Sequence, residues 1–310
     1  RRRALRYEVK RQKEKGKSAE VEFAIFEPKT EKEVPEGTVS RARAKCLVCG
    51  AVLPPERVRA QLAEQRGGAD VVFDERGRRT GGARLLAVVT LNSGIQGRNY
   101  RLPTEQDYEA VRKAQARLQA ILAQWEQEKG KRQKEKGQNQ EAGHTVFPFS
   151  FSLLPSLCPV PDEPVDEWHH DVNRMPMYGM RYWGDLFTAR QKVALVTLVE
   201  KAKGKSQKEK GAEEGGLGEA VRAAMALLIG KGADGNCCLS RWMAGYENPV
   251  NCFSRQALPM VWDFCEANPF GSSSANFESC ASIAADCLSS VPALGRSLIG
   301  QKAAQDRIAL

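Results

Sequence analysis

Two cysteines separated by two residues have the types and spacing that best fit metal chemistry. They lie in the run Cys46-Leu47-Val48-Cys49-Gly50. Two thiolates on a tight turn can bind one metal ion, and the following glycine permits the turn. A closed structural zinc site needs four ligands, but the sequence has no second pair of this spacing. We therefore predict that Cys46 and Cys49 are metal ligands in half of a zinc ribbon. The other pair would lie upstream of residue 1; a ribbon without metal and a redox pair are the alternatives.

A histidine pair is the second group whose residue types could bind a metal or act in acid–base chemistry. His169 and His170, with Glu167 and Asp171, could be drawn as a metal or acid–base cluster. Adjacent residues on a strand point in opposite directions, so the two rings seldom reach one ion. The sequence favours surface or interface histidines.

Two further runs resemble loops of a methyl-transfer site, but each lacks a feature that such a loop needs. Loops that bind the amine of a flipped base follow a polar residue with two prolines and an aromatic residue, whereas Asn268-Pro269-Phe270 has one proline. Gly94 and Gly97 follow a predicted strand, where a methyl-donor loop could lie. Pro103 argues against the helix that such a loop opens. The sequence favours an ordinary turn at Gly94–Gly97 and a helix-capping turn after Asn268-Pro269-Phe270.

Composition and cysteine usage indicate the compartment. The 310 residues include nine scattered cysteines, which is typical of free thiols in a reducing compartment, and we predict a cytoplasmic protein. No window approaches the roughly 18 apolar residues of a membrane span, so no membrane partner is predicted. The start at Arg1 has no initiator methionine and no secretion signal. We expect a fragment or a split gene.

The net charge of +9 is concentrated in short runs. Residues 1–17, 127–137 and 201–210 together carry a net +14, so the remaining chain is about −5. Each run contains or adjoins a copy of one polar hexapeptide ending in glycine, and we predict solvated loop insertions. Phosphate-binding loops are the alternative. The copies occupy residues 11–16, 132–137 and 206–211.

The periodicity of apolar residues predicts an α+β fold. Strands are predicted mainly before residue 100, including 21–26 and 85–91, and Thr188 with Gln191 predicts a capping box. Predicted helices span residues 55–66, 104–127, 217–230 and 257–267, with another after Thr188. The predicted organisation is a β-rich region with the half ribbon (1–103), a long amphipathic helix (104–127), a basic linker (128–145) and a mainly helical domain (146–310).

Several collinear runs resemble the bacterial and archaeal family of adenine-specific DNA methylases that contain a zinc ribbon. The two longest are residues 178–191 (YGMRYWGDLFTARQ) and 254–271 (SRQALPMVWDFCEANPFG). Shorter matches lie at residues 37–39, 46–50, 84–89, 97–103 and 161–164. In that family, the donor-binding strand and the first cysteine pair lie upstream of such a segment, and the catalytic loop lies downstream.

The resemblance implies the central part of an enzyme that transfers a methyl group from S-adenosylmethionine to the exocyclic amine of adenine in DNA. The fold would then be an incomplete part of an α/β methyltransferase, with the donor site outside this chain and no catalytic residue in it. DNA and the missing N- and C-terminal parts are the implied partners, and zinc is a possible cofactor. A stand-alone DNA-binding or assembly module and a decayed gene without function are the alternatives.

Aromatic and arginine neighbours in the first long run suit base stacking and phosphate binding. The candidate DNA contacts are Tyr178, Arg181, Trp183 and Arg190. The alternative is that Trp183 and Phe187 anchor the helix that starts after Thr188.

Overall fold

The computed structural model of the chain describes residues 3–10, 20–65, 69–91, 97–138, 158–166, 174–207, 217–254, 257–272 and 276–290. Within these ranges the structure mixes five α-helices with eleven short strands in small antiparallel sheets. This arrangement agrees with the predicted α+β class. No helix in the described ranges is both long enough and apolar enough to cross a membrane.

The strands before residue 103 form three separate hairpins and one three-stranded sheet, all antiparallel. The strand predicted over 21–26 is confirmed, but the one predicted over 85–91 pairs regularly only from Val88. The bounds are β1 Ala4–Lys10, β2 Glu20–Phe26, β3 Val39–Ser40, β4 Arg43–Lys45, β5 Val52–Leu53, β6 Val71–Phe73, β7 Arg79–Gly82, β8 Val88–Leu91 and β9 Arg98–Arg101.

The first four helices follow the predicted order, whereas the fifth, after a hairpin, lies at Phe277–Ser290, where the sequence predicts none. Helix α1 begins with Pro55 in its first turn, where a missing amide hydrogen costs nothing. The bounds are α1 Pro55–Glu64, α2 Glu105–Gln138, α3 Ala189–Gln207, α4 Leu217–Gly235, β10 Arg241–Met243, β11 Asn248–Val250 and α5 Phe277–Ser290.

Helix α2 begins at the predicted place. Asp107 Oδ2 accepts hydrogen bonds from the backbone N of Thr104 at 2.7 Å and from its Oγ1 at 2.9 Å, which closes the first turn. Arg101 of β9 binds the same carboxylate through two nitrogens, at 2.7 and 2.8 Å. These hydrogen bonds hold the pKa of Asp107 well below its usual range, and the contribution of Arg101 is the largest. They also fix the direction in which α2 leaves β9.

The first half of α2 packs on the hairpin of β6 and β7. Arg112 donates to the carbonyl of Gly77 at 3.0 Å and lies over the ring of Phe73, 5.3 Å from its centroid. Gln115 Nε2 donates to the carbonyl of Val71 at 2.8 Å. Val111 is 1% exposed, so the predicted apolar face is buried at this point.

The end of α2 corrects the prediction of a linker over 128–145. The helix runs to Gln138, so the first part of that range is helical. Residues 128–138 are mostly Glu, Lys, Arg and Gln, which favour helices, whereas each glycine there costs only about 1 kcal/mol relative to alanine. The second hexapeptide, at 132–137, is therefore helical and not a loop. The third begins inside α3, and the first lies outside the described residues.

Helix α3 begins at the predicted capping box. Gln191 N donates to Thr188 Oγ1 at 3.3 Å, and Thr188 N donates to Gln191 Oε1 at 2.9 Å. The first turn of α3 has one more hydrogen bond, to a residue distant in the sequence. Asp70 Oδ2 accepts this bond from Ala189 N at 3.0 Å. The other oxygen of Asp70 accepts from Val71 N at 2.9 Å. Asp70 therefore joins the start of β6 to the start of α3.

The helix predicted over 257–267 does not form. Its backbone amides donate to distant acceptors, Cys265 N to the carbonyl of Ser240 at 2.9 Å and Ala267 N to Asn236 Oδ1 at 3.2 Å. The apolar side chains of this segment pack on the core from a backbone that is not helical, so tertiary contacts override the helical period. These side chains are Leu258, Met260, Val261 and Phe264.

One buried cluster joins the β-rich part to the helical part. Met175 is completely buried in it, and Ala69, next to Asp70, is 3% exposed. The remaining members come from the segments before α3 and after α4. The cluster comprises Ala69, Met175, Met180, Leu186, Cys237, Cys238, Leu239 and Leu258.

Candidate functional site

The two predicted metal ligands lie on the turn between β4 and β5. Cys46 N donates to the carbonyl of Ala51 at 2.8 Å, and Gly50 N donates to the carbonyl of Cys46 at 2.9 Å. Gly50 has a φ of +75°, a left-handed conformation that glycine adopts without steric cost. Both cysteines are free, Cys46 partly buried and Cys49 exposed, and they share this one turn. The structure therefore brings the two predicted ligands together.

The backbone amides of this turn favour the ionised form of Cys46. Hydrogen bonds from the N–H groups of Cys49 and Val48, followed by the bond from the Cys49 thiol, lower the pKa of the Cys46 thiol below its usual value. Amides that point at a sulfur stabilise its negative charge. The thiolate is also the form that binds metal, so the turn is prepared for a cation.

The donor atoms suit zinc, but their number is too small for a closed site. A structural zinc ion takes four ligands, and this turn supplies two. Across the described ranges, no group of three or more His, Cys, Asp or Glu residues could hold a metal ion. His169 and His170, with Glu167 and Asp171, lie outside the described residues. Zinc binding at Cys46 and Cys49 therefore stays a prediction that needs further ligands.

We expect Cys46 to react with iodoacetamide several-fold faster than Cys158 at neutral pH. Burial raises the pKa of the half-buried Cys158 thiol, whereas the turn amides lower that of Cys46. Timed alkylation followed by peptide mass spectrometry measures both rates in one sample. The difference should shrink at pH 10, where both thiols are more ionised. Equal rates at neutral pH would show that the turn does not stabilise a thiolate.

Three of the predicted DNA contacts lie close together before α3. Tyr178 is 7% exposed, and its ring meets that of Trp262 edge to face, with the centroids 5.5 Å apart. Trp183 is partly buried against the core cluster together with Phe187, as the packing alternative expects. Arg181 is exposed. DNA contact stays a prediction for all three, and Arg181 is the residue best placed to reach a phosphate.

The fourth predicted contact, Arg190, is held in an ion pair. Its Nη2 lies 2.9 Å from Glu266 Oε2, and the two side chains are 29% and 18% exposed. Burial raises the pKa of Glu266, and the charge of Arg190 opposes that shift. The Nε of Arg190 is buried and has no hydrogen-bond partner among the described residues. A phosphate contact by Arg190 would require this ion pair to open.

Comparison with protein-family models, curated proteins and solved structures gives no match for this chain. The resemblance to zinc-ribbon DNA methylases thus stays a prediction from the quoted runs. In the structure, the two longest runs, 178–191 and 254–271, are neighbours. They lie against each other through Tyr178 with Trp262 and through Arg190 with Glu266.

Of the two runs that the sequence analysis compares with methyl-transfer loops, the one at 268–270 forms a local turn. Asn268 Oδ1 accepts a hydrogen bond from Phe270 N at 3.0 Å, and its carbonyl accepts one from Gly271 N at 3.1 Å. A turn is therefore present, but no helix precedes it, because residues 257–267 are not helical. Gly97 is followed by β9 and not by a helix, which agrees with an ordinary turn; Gly94 lies outside the described residues.

Sequence reasoning missed the polar partners that connect these segments. Gln191 Nε2 donates to Asn236 Oδ1 at 2.9 Å, and both side chains are buried. Glu266, the partner of Arg190, lies in the predicted helix 257–267, which does not form. The spacing along the chain carries no signal for either contact, because each joins residues more than forty positions apart.

Proposed function

We propose that this chain is the central part of an S-adenosylmethionine-dependent DNA adenine methyltransferase. In this proposal the intact protein transfers the sulfonium methyl group to the exocyclic amine of adenine. The observation that carries the proposal is that the two longest runs resembling the methylase family, 178–191 and 254–271, pack together. A resemblance to a family that is carried by separate runs is better supported when those runs pack against each other.

Three kinds of contact connect the two runs. Met180 and Leu186 from the first share the buried cluster with Leu258 from the second. The rings of Tyr178 and Trp262 meet edge to face, which favours a fixed aromatic pair. The ion pair of Arg190 and Glu266 supplies the polar contact. Such a unit is a scaffold: it can hold neighbouring parts of an enzyme in place without taking part in the reaction itself.

The turn with Cys46 and Cys49 fits this proposal as half of a zinc ribbon. Its two free thiols are the two ligands that each half of such a ribbon supplies. The other two ligands and the site for S-adenosylmethionine would belong to parts of the protein outside this chain. DNA is the proposed partner of the scaffold.

Methyl transfer by the intact protein tests the proposal directly. The protein is incubated with S-adenosylmethionine labelled in its methyl group and with duplex DNA, and the DNA is hydrolysed to nucleosides. The expected result is label in N6-methyladenine, and no label when the chain of residues 1–310 is used alone. Absence of label with intact protein that is folded and binds DNA would overturn the proposal. It would leave a DNA-binding module as the function.

We expect Arg181→Ala to weaken DNA binding and to reduce its dependence on salt. One lost phosphate contact lowers the slope of log affinity against log salt by about one. Fluorescence anisotropy of labelled duplex DNA between low and moderate salt measures the slope. Arg76→Ala, which removes an exposed arginine from the turn between β6 and β7, is the matched control and should keep it. Identical slopes for both variants would remove Arg181 from the DNA interface.

A further inference from the structure

The three-stranded sheet of β3, β4 and β5 has one buried and one exposed face. Residues directly opposite each other on antiparallel strands lie on the same face of a sheet. Ala44 of β4 is opposite both Val39 of β3 and Leu53 of β5, and all three are half-buried. Helix α1 contacts β4. The alternate residues of these strands therefore form the face that is open to solvent.

The exposed face carries positive charge. Arg43 is opposite Ser40, and Lys45 is opposite Val52; all four residues are exposed. The sequence from residue 37 to residue 55, which includes all three strands and their turns, contains no Asp or Glu. No acidic side chain of this sheet can therefore neutralise the two cations.

A third cation lies at the tip of the hairpin of β3 and β4. Arg41 and Ala42 form its two-residue loop, with φ of +49° and +63°. Such loops prefer Asn and Gly, because a left-handed backbone costs energy for other residues. The tight loop keeps Arg41 exposed at the beginning of β4, the strand that carries Arg43 and Lys45. We call these three residues the basic face.

The basic face has no ion pair with any residue that the structure describes. Arg78, by contrast, is paired with Asp74. Lys45 extends beside the cysteine turn, where its Cε lies 3.9 Å from the position of a Cβ built on Gly50. Cations that are not neutralised within the protein attract anions from solution.

The spacing of these charges suits a row of anions better than a single one. Alternate residues of a strand lie about 6.6 Å apart. Neighbouring side chains of the basic face can therefore reach different phosphates of one backbone. A guanidinium can bind a phosphate through two nitrogens, and the hydroxyl of Ser40 adds a further donor on the same face.

We propose that the basic face, Arg41, Arg43 and Lys45, binds the phosphate backbone of duplex DNA. The choice of DNA rests on the proposed function, in which DNA is the substrate of the intact protein. Contacts to phosphates position a duplex without reading its sequence. The basic face thus holds the DNA, and recognition of the target site belongs to other residues.

Neutralisation of the basic face tests the proposal. The full chain with Arg41→Gln, Arg43→Gln and Lys45→Gln combined is compared with the wild type by fluorescence anisotropy of a labelled duplex at several salt concentrations. Each lost phosphate contact lowers the slope of log affinity against log salt by about 0.9, so the slope should fall by about 2.7. The fall should be the same for duplexes of different sequence.

The matched control removes three exposed cations that lie outside this sheet. It combines Lys29→Gln, Lys32→Gln and Arg76→Gln and has the same net charge as the test variant. Its slope should fall by less than about 0.9. If circular dichroism shows that the test variant is unfolded, Arg43→Gln alone decides, because it leaves the left-handed loop unchanged; its slope should fall by about 0.9.

An unchanged slope in the test variant, or an equal fall in the control, would overturn the proposal. So would loss of binding to phosphatidylglycerol vesicles while binding to DNA stays the same. Binding and methyl transfer are measured separately. A lower slope together with no methyl transfer by the intact protein would remove the proposed function and keep the DNA contact. Methyl transfer together with an unchanged slope would remove only the DNA contact.

Discussion

Replacing Gly179 by alanine should lower the free energy of unfolding by about 3 kcal/mol. Gly179 ends the 3-10 helix Pro176–Tyr178 with a φ of +88°, a conformation that costs alanine energy by itself. The added Cβ would also lie 2.7 Å from the Cα of Ala63 in α1. A backbone atom cannot move aside as a flexible side chain can. Helix α1 would therefore separate from the segment that carries Tyr178.

Urea unfolding followed by circular dichroism measures this effect. Gly37→Ala is the matched control, because nothing lies within 4 Å of a Cβ built there. We expect that variant to stay within about 0.5 kcal/mol of the wild type. Ala63→Gly should not rescue Gly179→Ala, since the clash is with the Cα that remains. A stability loss below about 1 kcal/mol for Gly179→Ala would contradict the close approach of α1.

Arg190→Ala should cost about 3 kcal/mol at pH 8. The change leaves the carboxylate of Glu266 without its partner in a site where that side chain is 18% exposed. The expected cost lies near the lower end of the range for broken buried pairs, because the Arg190 side chain is itself 29% exposed. Urea unfolding at pH 8 and at pH 5 measures the loss.

The sign of the pH dependence follows from the burial of Glu266. Burial raises its pKa in the folded state above the usual 4.5, so the folded protein holds the proton more firmly than the unfolded chain. This contribution to stability is complete below pH 4.5 and is lost as pH rises through the folded-state pKa. Without Arg190 the shift grows, so Arg190→Ala should cost more at pH 8 than at pH 5. Adding Glu266→Gln should make the cost nearly independent of pH; a dependence that persists would point to another group.

Local signals in the sequence predicted the elements whose cause is local. Thr104 with Asp107 and Thr188 with Gln191 are caps formed within four residues, and both helices begin there. The Cys46 turn was predicted for the same reason, because Gly50 and the spacing of the cysteines act within one turn. Such features depend on backbone geometry that a few neighbouring residues determine.

Distant contacts account for what the sequence did not reveal. The apolar residues of 257–267 have helical spacing, but amides in that segment donate to Ser240 and Asn236 instead. The charged residues after 127 predict a linker, but their side chains favour helices, and α2 continues to Gln138. The pairing of Arg190 with Glu266, like that of Gln191 with Asn236, depends on the folded chain and leaves no pattern in sequence spacing.

The carboxylate of Asp70 has a consequence for the order in which the chain acquires its structure. It completes the first turn of a helix that begins 119 positions later, and Ala69 N beside it donates to the carbonyl of Asp185 at 3.3 Å. During synthesis, the beginning of β6 therefore stays unfinished until residues beyond 189 have left the ribosome. Closing so large a loop is slow. Until it closes, the apolar residue Ala69 stays exposed, and exposed apolar surface makes a partly folded chain prone to aggregation.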